Sequence, residues 1–365
     1  MNKIRVLIID DSALIRKILT EVLISSPDIE VIGTAADPLI AREMIKQLNP
    51  DVLTLDIEMP HMDGITFLRN LMRLRPTPVV MISTLTEKGA EVTLEALALG
   101  AVDFIFKPKV DVVKTLNDYA DEIIEKVKTA AQANVRNVDY RPVKTREADT
   151  VSRHNNEITP PPVTSLQKQT HFSNKIIAIG ASTGGTEAIK VVARCLPADT
   201  PPVFITQHLP AAFSESFVRH IDLVTAMSAS IPHHGQLVED GHIYLAPGDK
   251  HMLVVKEAGK YYIHLSDDLP VNRHKPAVDV LFRSVAKCAG SNAIGVLLTG
   301  MGSDGAAGMK EMHDAGAKTV IQDEQSSVVW GMPGAAFKLG CADIVTPLED
   351  VANKILTLVK QIRVS

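Results

Sequence analysis

The sequence predicts an α/β protein built from two doubly wound parallel-sheet domains. Three observations carry that expectation. Short, continuous apolar runs alternate with helical patterns five times within residues 1–133, and the same alternation restarts at residue 174. Between them, residues 134–173 are irregularly polar, carry Pro160-Pro161-Pro162 and show no apolar period, which is the composition of a linker. The apolar runs also end in acids or glycine-rich loops, and ligands of a doubly wound sheet collect at the carboxyl ends of its strands. The expected units are therefore 1–133, a flexible linker over 134–173, and 174–365.

In the first unit Arg5 to Asp10 (RVLIID) is a continuous apolar run ending in acids, as in a strand buried on both faces of a parallel sheet. A helix over 13–24 follows. Then come a strand over 29–35, a helix over 39–48, a strand over 52–56, a helix over 66–74, a strand over 79–83, a helix over 89–99, a strand over 103–106 and a long charged helix over about 111–133.

Asp10 and Asp11 leave the first strand and Asp56 the third. Converging carboxylates with no base among them repel unless a hard cation joins them, and Mg²⁺ takes such oxygen ligands. Ser83 and Lys107 end the fourth and fifth strands and bring a hydroxyl and a phosphate-binding point charge to the same rim. A single acid at a strand end is ordinarily an N-cap; five suitable residues on one rim argue for a site. With Asp10-Asp11, the run Leu55-Asp56-Ile57-Glu58-Met59-Pro60, Asp63-Gly64, Ser83 and Lys107-Pro108, residues 3–130 resemble the receiver domain of two-component response regulators, a flavodoxin-like fold. The resemblance implies that Asp56 accepts a phosphoryl group from a histidine kinase. It also implies that Asp10, Asp11, Asp56 and the backbone carbonyl of Glu58 surround Mg²⁺, that Ser83 and Lys107 sense the phosphate, and that Lys107-Pro108 is a cis peptide.

Composition narrows the class further. With 43 acids against 38 bases and 45 % hydrophobic residues in 365, nothing suggests nucleic acid as main partner. Cys195, Cys288 and Cys341 are odd in number and widely spaced, so neither a disulfide framework nor a zinc site is implied. Met1-Asn2-Lys3 leads straight into a strand, and no apolar segment is long enough to span a bilayer. A cytoplasmic monomer without signal peptide or membrane insertion is expected.

In the second unit a strand over 176–179 meets Gly180-Ala181-Ser182-Thr183-Gly184-Gly185, after which a helix is expected over 186–196. Gly180-x-Ser182-x-Gly184 reads as a nucleophile elbow, although a glycine-rich strand-to-helix loop also cradles phosphate. A strand over 202–206 ends in Gln207-His208, and a strand over 293–299 in Gly300-Met301-Gly302-Ser303-Asp304-Gly305; another strand covers 318–322. Segments 242–246, 252–257 and 261–265 read as short antiparallel strands, the last two joined by Ala258-Gly259 as a β-hairpin insertion.

Ser182, His208 and Asp304 thus share one carboxyl edge, where acyl transfer needs a hydroxyl, a base in reach of it and an acid orienting the base. The backbone N–H groups of Thr183 and Met301 are candidates for the oxyanion hole. The second unit holds further histidines, and His274, in Asn272-Arg273-His274-Lys275-Pro276, is the serious competitor of His208; Asp279 and Asp249 rival Asp304. A dinucleotide loop fits less well, because the following strand ends in Gln207-His208 rather than an acid, and no Gly-Lys-Ser or Gly-Lys-Thr is present. No helix-turn-helix pattern or basic face suggests a DNA-binding output.

Read together, GASTGG from Gly180, TQHLP from Thr206, APGD from Ala246, VNRH from Val271 and LTGMGSDGAAG from Leu298 resemble the chemotaxis protein-glutamate methylesterase (CheB) family over the whole chain. The resemblance implies hydrolysis of glutamate γ-methyl esters on methyl-accepting chemoreceptors with release of methanol, deamidation of receptor glutamines, control by phosphorylation, and no cofactor for the hydrolytic half.

Overall fold

The computed structural model describes residues 3–60, 62–84, 86–107, 116–135 and 174–362. The expected linker, apart from Asn134 and Val135, lies outside the described residues, as do Pro108 of the expected cis bond and the expected start of the long charged helix.

The first sheet holds β1 (Ile4–Ile9), β2 (Ile29–Ala35), β3 (Val52–Asp56), β4 (Val79–Ser83) and β5 (Asp103–Phe106) in the order β2-β1-β3-β4-β5, with every pair parallel. The helices are α1 (Ala13–Ile24), α2 (Pro38–Leu48), α3 (Gly64–Leu74), α4 (Glu87–Ala98) and α5 (Leu116–Gln132). Every residue of β3 and β4 is buried, which is why these strands read as unbroken apolar runs. Helix starts are fixed by polar caps: Ser12, Asp37, Asp63 and Thr86 each accept a first-turn N–H. The expected starts of α3 and α4 come two residues late because the apolar pattern begins only after the capped turn.

The second unit contains β6 (Ile176–Ala181), α6 (Gly185–Arg194), β7 (Val203–Gln207), α7 (Ala211–Asp222), β8 (Ser228–Ser230), β9 (Gln236–Leu237), β10 (His242–Leu245), β11 (His251–Glu257), β12 (Lys260–Ser266), α8 (Val278–Ala289), β13 (Ala293–Leu297), α9 (Ala306–Asp314), β14 (Lys318–Gln322), α10 (Met332–Lys338), β15 (Ile344–Thr346) and α11 (Leu348–Gln361). A parallel sheet runs β15-β14-β13-β6-β7-β10-β8, and β11-β12-β9 form a small antiparallel sheet.

Two expectations are corrected. The segment 242–246 is a strand but not an antiparallel one: β10 pairs parallel with β7 and β8 and extends the main sheet, its Ile243, Tyr244 and Leu245 buried. Short alternating strands look alike in either sheet, and only burial of consecutive residues separates them. Gly180 lies inside β6, not in the turn; a Cβ there would stand 2.2 Å from Val278 Cγ1, so it is glycine for the close approach of α8. The turn itself is made at Gly184, with φ at +76°.

Candidate active site

In the main sheet β6 pairs with β13 on one side and β7 on the other, although it precedes both in the chain. Ligands gather at such a reversal of strand order. Ser182 follows β6, His208 follows β7, and Asp304 lies in the loop after β13, so the strands bring all three to one edge.

Ser182 is locked from several sides. Its N–H donates to the Thr299 carbonyl at 3.0 Å, while its own carbonyl accepts from Gly185 N at 2.7 Å and from Gln207 Nε2 at 2.9 Å. The loop after β13 runs so close behind it that a Cβ on Gly300 would stand 2.9 Å from Ser182 Cβ and 2.3 Å from Met332 Sδ.

His208 Nδ1 lies 3.1 Å from Ser182 Oγ, and His208 Nε2 lies 2.9 Å from Asp304 Oδ2. The neutral tautomer that satisfies both carries its hydrogen on Nε2, donates to Asp304 and leaves Nδ1 free to accept from the serine. Asp304 is 2 % exposed, and its other partners are the N–H of Val278 (2.7 Å), the N–H of Asp279 (3.2 Å) and Asn272 Nδ2 (2.8 Å). Val278 and Asp279 are the first two residues of α8, so the carboxylate sits on the positive end of a helix. Burial alone would push this carboxyl up, but His208, Asn272 and the Val278 N–H outweigh it and hold it at about 2.

The competitors separate cleanly. Asp279 is buried in α8 and accepts from Gly308 N and Asn272 Nδ2, at 2.7 and 2.9 Å. His274 touches neither Ser182 nor Asp304 by hydrogen bond among the described residues; its ring stacks on His208, centroids 3.7 Å apart and planes within 10°. Thr183 and Met301 border the same cleft of about 950 Å³ as the three residues, and neither N–H donates to another group among the described residues. Asn272, which ties Asp304 to Asp279, and Gln207 were not expected; both lie in the quoted motifs VNRH and TQHLP, but nothing in their type announced a role.

At the first rim, Asp10, Asp11 and Asp56 bring carboxylate oxygens within 4.8 Å of one another. The expectation of no base among them needs correction: Lys107 Nζ stands 2.8 Å from Asp56 Oδ2 and 4.0 Å from Asp10 Oδ2. Among the described residues its hydrogen bond goes to Asp56, and Asp10 Oδ2 is buried without a hydrogen-bond partner. Burial pushes the Asp56 carboxyl up to about 6, with Asp10 adding to it against the pull of Lys107; burial raises Asp10 as well. Carboxylates unwilling to ionise together, one with a spare buried oxygen, fit an oxygen-preferring divalent cation. Glu58 donates its N–H to Asp56 Oδ1 at 3.3 Å. Ser83 is tied to Thr93 Oγ1 at 2.7 Å and borders, with Asp56, a second hollow of about 710 Å³.

The two units meet through the receiver-like unit's β5–α5 face. Thr183 Oγ1 donates to Asp103 Oδ2 at 2.7 Å, and Lys126 of α5 stands 3.4 Å from Asp103 Oδ1. Phe213 of α7 stacks on Phe104 with centroids 4.9 Å apart, and Thr129 Oγ1 contacts Met301 Sδ. Asp103, Phe106 and Lys126 consequently wall the cleft that contains Ser182.

Residues 177–355 match the CheB methylesterase family and residues 6–117 the response regulator receiver domain. A protein of Hydrogenovibrio crunogenus named protein-glutamate methylesterase/protein-glutamine glutaminase is 54 % identical over 376 residues, covering 99 % of this chain and 100 % of its own. The chain belongs to the CheB methylesterase family. A CheB relative from Xanthomonas campestris pv. campestris, of the same name numbered 1, is 56 % identical over 99 % of this chain and 98 % of its own. The crystal structure of the Thermotoga maritima CheB methylesterase catalytic domain matches at TM-score 0.50 and 33 % identity, covering 51 % of this chain and 98 % of that one. This CheB chain is a hydrolase with a response-regulator receiver, and among the described residues no helix is long and apolar enough to cross a membrane.

Proposed function

We propose that this chain is a cytoplasmic protein-glutamate methylesterase and protein-glutamine deamidase acting on chemoreceptors and controlled by a histidine kinase. The single observation carrying the reading is the unbroken relay from Ser182 Oγ through His208 to Asp304, at 3.1 and 2.9 Å. Ser182 Oγ attacks the γ-carbonyl carbon while its proton passes to His208 Nδ1. The imidazolium keeps its Nε2–H on Asp304, whose four donors hold it ionised, and the Thr183 and Met301 N–H groups receive the oxyanion. When the intermediate collapses, Nδ1 returns the proton to the departing methanol, or to ammonia from glutamine. The same nitrogen then deprotonates the water that releases glutamate and restores Ser182.

Residues 1–133 are read as the receiver, 134–173 as the linker and 174–365 as the hydrolase. Asp56 takes the phosphoryl group. Asp10, Asp11, Asp56 and the Glu58 carbonyl would hold Mg²⁺, which neutralises charge on the transferring phosphoryl oxygens when bound. Lys107 and Ser83 read the product. The contacts of Asp103, Phe104 and Lys126 around the cleft support a receiver that obstructs a protein substrate until phosphorylation shifts the balance toward an open arrangement. Methanol release from methylated receptors by Ser182→Ala tests the covalent route: the expected rate is background, and wild-type turnover would exclude the mechanism.

A further inference from the structure

The turn joining Val271 to His274 is closed by two backbone hydrogen bonds, Val271 N to His274 O at 3.0 Å and His274 N to Val271 O at 2.9 Å. Its central residues, Asn272 and Arg273, have φ of +53° and +67°. Both lie in the left-handed region, uncommon for a side chain as large as arginine's, and such strain persists where the surroundings hold it for what it presents.

What this turn presents is two contacts to the relay. Asn272 Nδ2 donates to Asp304 Oδ1 at 2.8 Å, and the His274 ring lies flat on His208 at 3.7 Å between centroids. An imidazole held by hydrogen bonds at its two nitrogens can still swing about the axis joining them. A flat partner against its face removes that freedom.

The partner must not repel the charge that His208 acquires. The groups facing His274 are His208, Asp304, Lys126 of α5 and Arg273. Burial first, then the positive charge of His208, Lys126 and Arg273, bring its pKa down to about 4 against the pull of Asp304. His274 is therefore neutral near pH 7 and offers an aromatic face to an imidazolium.

We propose that His274 is a positioning residue for the hydrolytic reaction, its ring fixing the plane of His208 between Ser182 and Asp304 and supporting the imidazolium formed there. The proposal rests on the relay described above, and it adds a fourth side chain that makes no proton transfer.

The test uses the full chain with Mg²⁺ and a small phosphodonor, measuring kcat and KM for methanol release from methylated receptor. His274→Ala is expected to lower kcat about 10- to 100-fold with KM changed less than about 2-fold, because a displaced base costs rate rather than binding. His274→Phe, which restores a flat ring without nitrogens, is expected to recover kcat to within about 5-fold of wild type. Wild-type kcat in His274→Ala overturns the proposal; so does His274→Phe as slow as His274→Ala, which would assign the effect to a ring nitrogen. Should His274→Ala melt below the assay temperature, His274→Leu replaces it with the same expectation, and wild-type kcat there is equally fatal. Ser182→Ala in the same assay keeps the two claims apart: full activity there overturns the relay itself, whereas an inactive Ser182→Ala beside a wild-type His274→Ala overturns only the positioning role.

Discussion

At the scale of single residues, Asp304 and Asp56 show one physics with opposite outcomes. Both are buried carboxyls, but Asp304 is met by a helix N-terminus, an amide and an imidazole, whereas Asp56 is met by one ammonium, one long backbone N–H bond and another acid. Asp304→Asn keeps the shape but favours the wrong His208 tautomer, and kcat should fall about 10³- to 10⁴-fold; a loss under 10-fold in methanol release would contradict the orienting role. The Asp56 carboxyl goes from 3.8 unfolded to about 6 folded, so the native state binds the extra proton. Its contribution to stability is full below the unfolded value and is lost as pH rises from about 4 through about 6. Without divalent cation, thermal melting should show that loss, and Asp56→Asn should flatten it; an identical slope in Asp56→Asn would refute the assignment. Asp304 has the reverse sign: its stabilisation is present above about 4 and lost as pH falls toward about 2. The three relay residues were legible because a hydroxyl, an imidazole and a carboxylate each follow a buried strand of the same sheet. The opposite was true of Asn272, an ordinary loop residue whose importance comes from a turn that only the fold brings beside Asp304.

At the scale of elements, what aims Ser182 is the packing of loops at the sheet edge. Gly300→Ala would force a methyl group to 2.9 Å from Ser182 Cβ and 2.3 Å from Met332 Sδ, so the serine must move. A displacement of that kind should cost about 10²-fold in kcat with KM nearly unchanged, and kcat within 2-fold of wild type would show that the loops yield instead. Strand identity was readable wherever burial is continuous, as in β1, β3, β4 and β13. At β10 the strand was readable but its pairing was not: it was expected antiparallel and is parallel, and its partners depend on a crossover that leaves no local signature. The glycines of the elbow were legible as a group but not by role: one fits beneath α8 and another makes the turn.

At the scale of the whole molecule, the face of the receiver that carries β5 and α5 lies over the cleft of the hydrolase. The bond from Thr183 Oγ1 to the Asp103 carboxylate is charge-assisted, a class worth about 1.5–3 kcal/mol. Asp103→Ala should therefore raise the unphosphorylated rate about 10-fold or more, and removing residues 1–133 should raise it at least as far. Unchanged or lower activity in both would mean that the receiver does not obstruct the site. None of the contacts between the two units was legible in the sequence, since those of Asp103, Phe104 and Thr129 each reach a residue 80 or more positions away, and Asp103 itself looks like an ordinary strand polar group. The most direct measurement is the initial rate of methanol release from methylated receptor by the full chain and by Asp56→Asn, each with and without a small phosphodonor and Mg²⁺. The account predicts that only the chain with Asp56 speeds up on addition of the donor; equal stimulation of Asp56→Asn, or none of either, would contradict it.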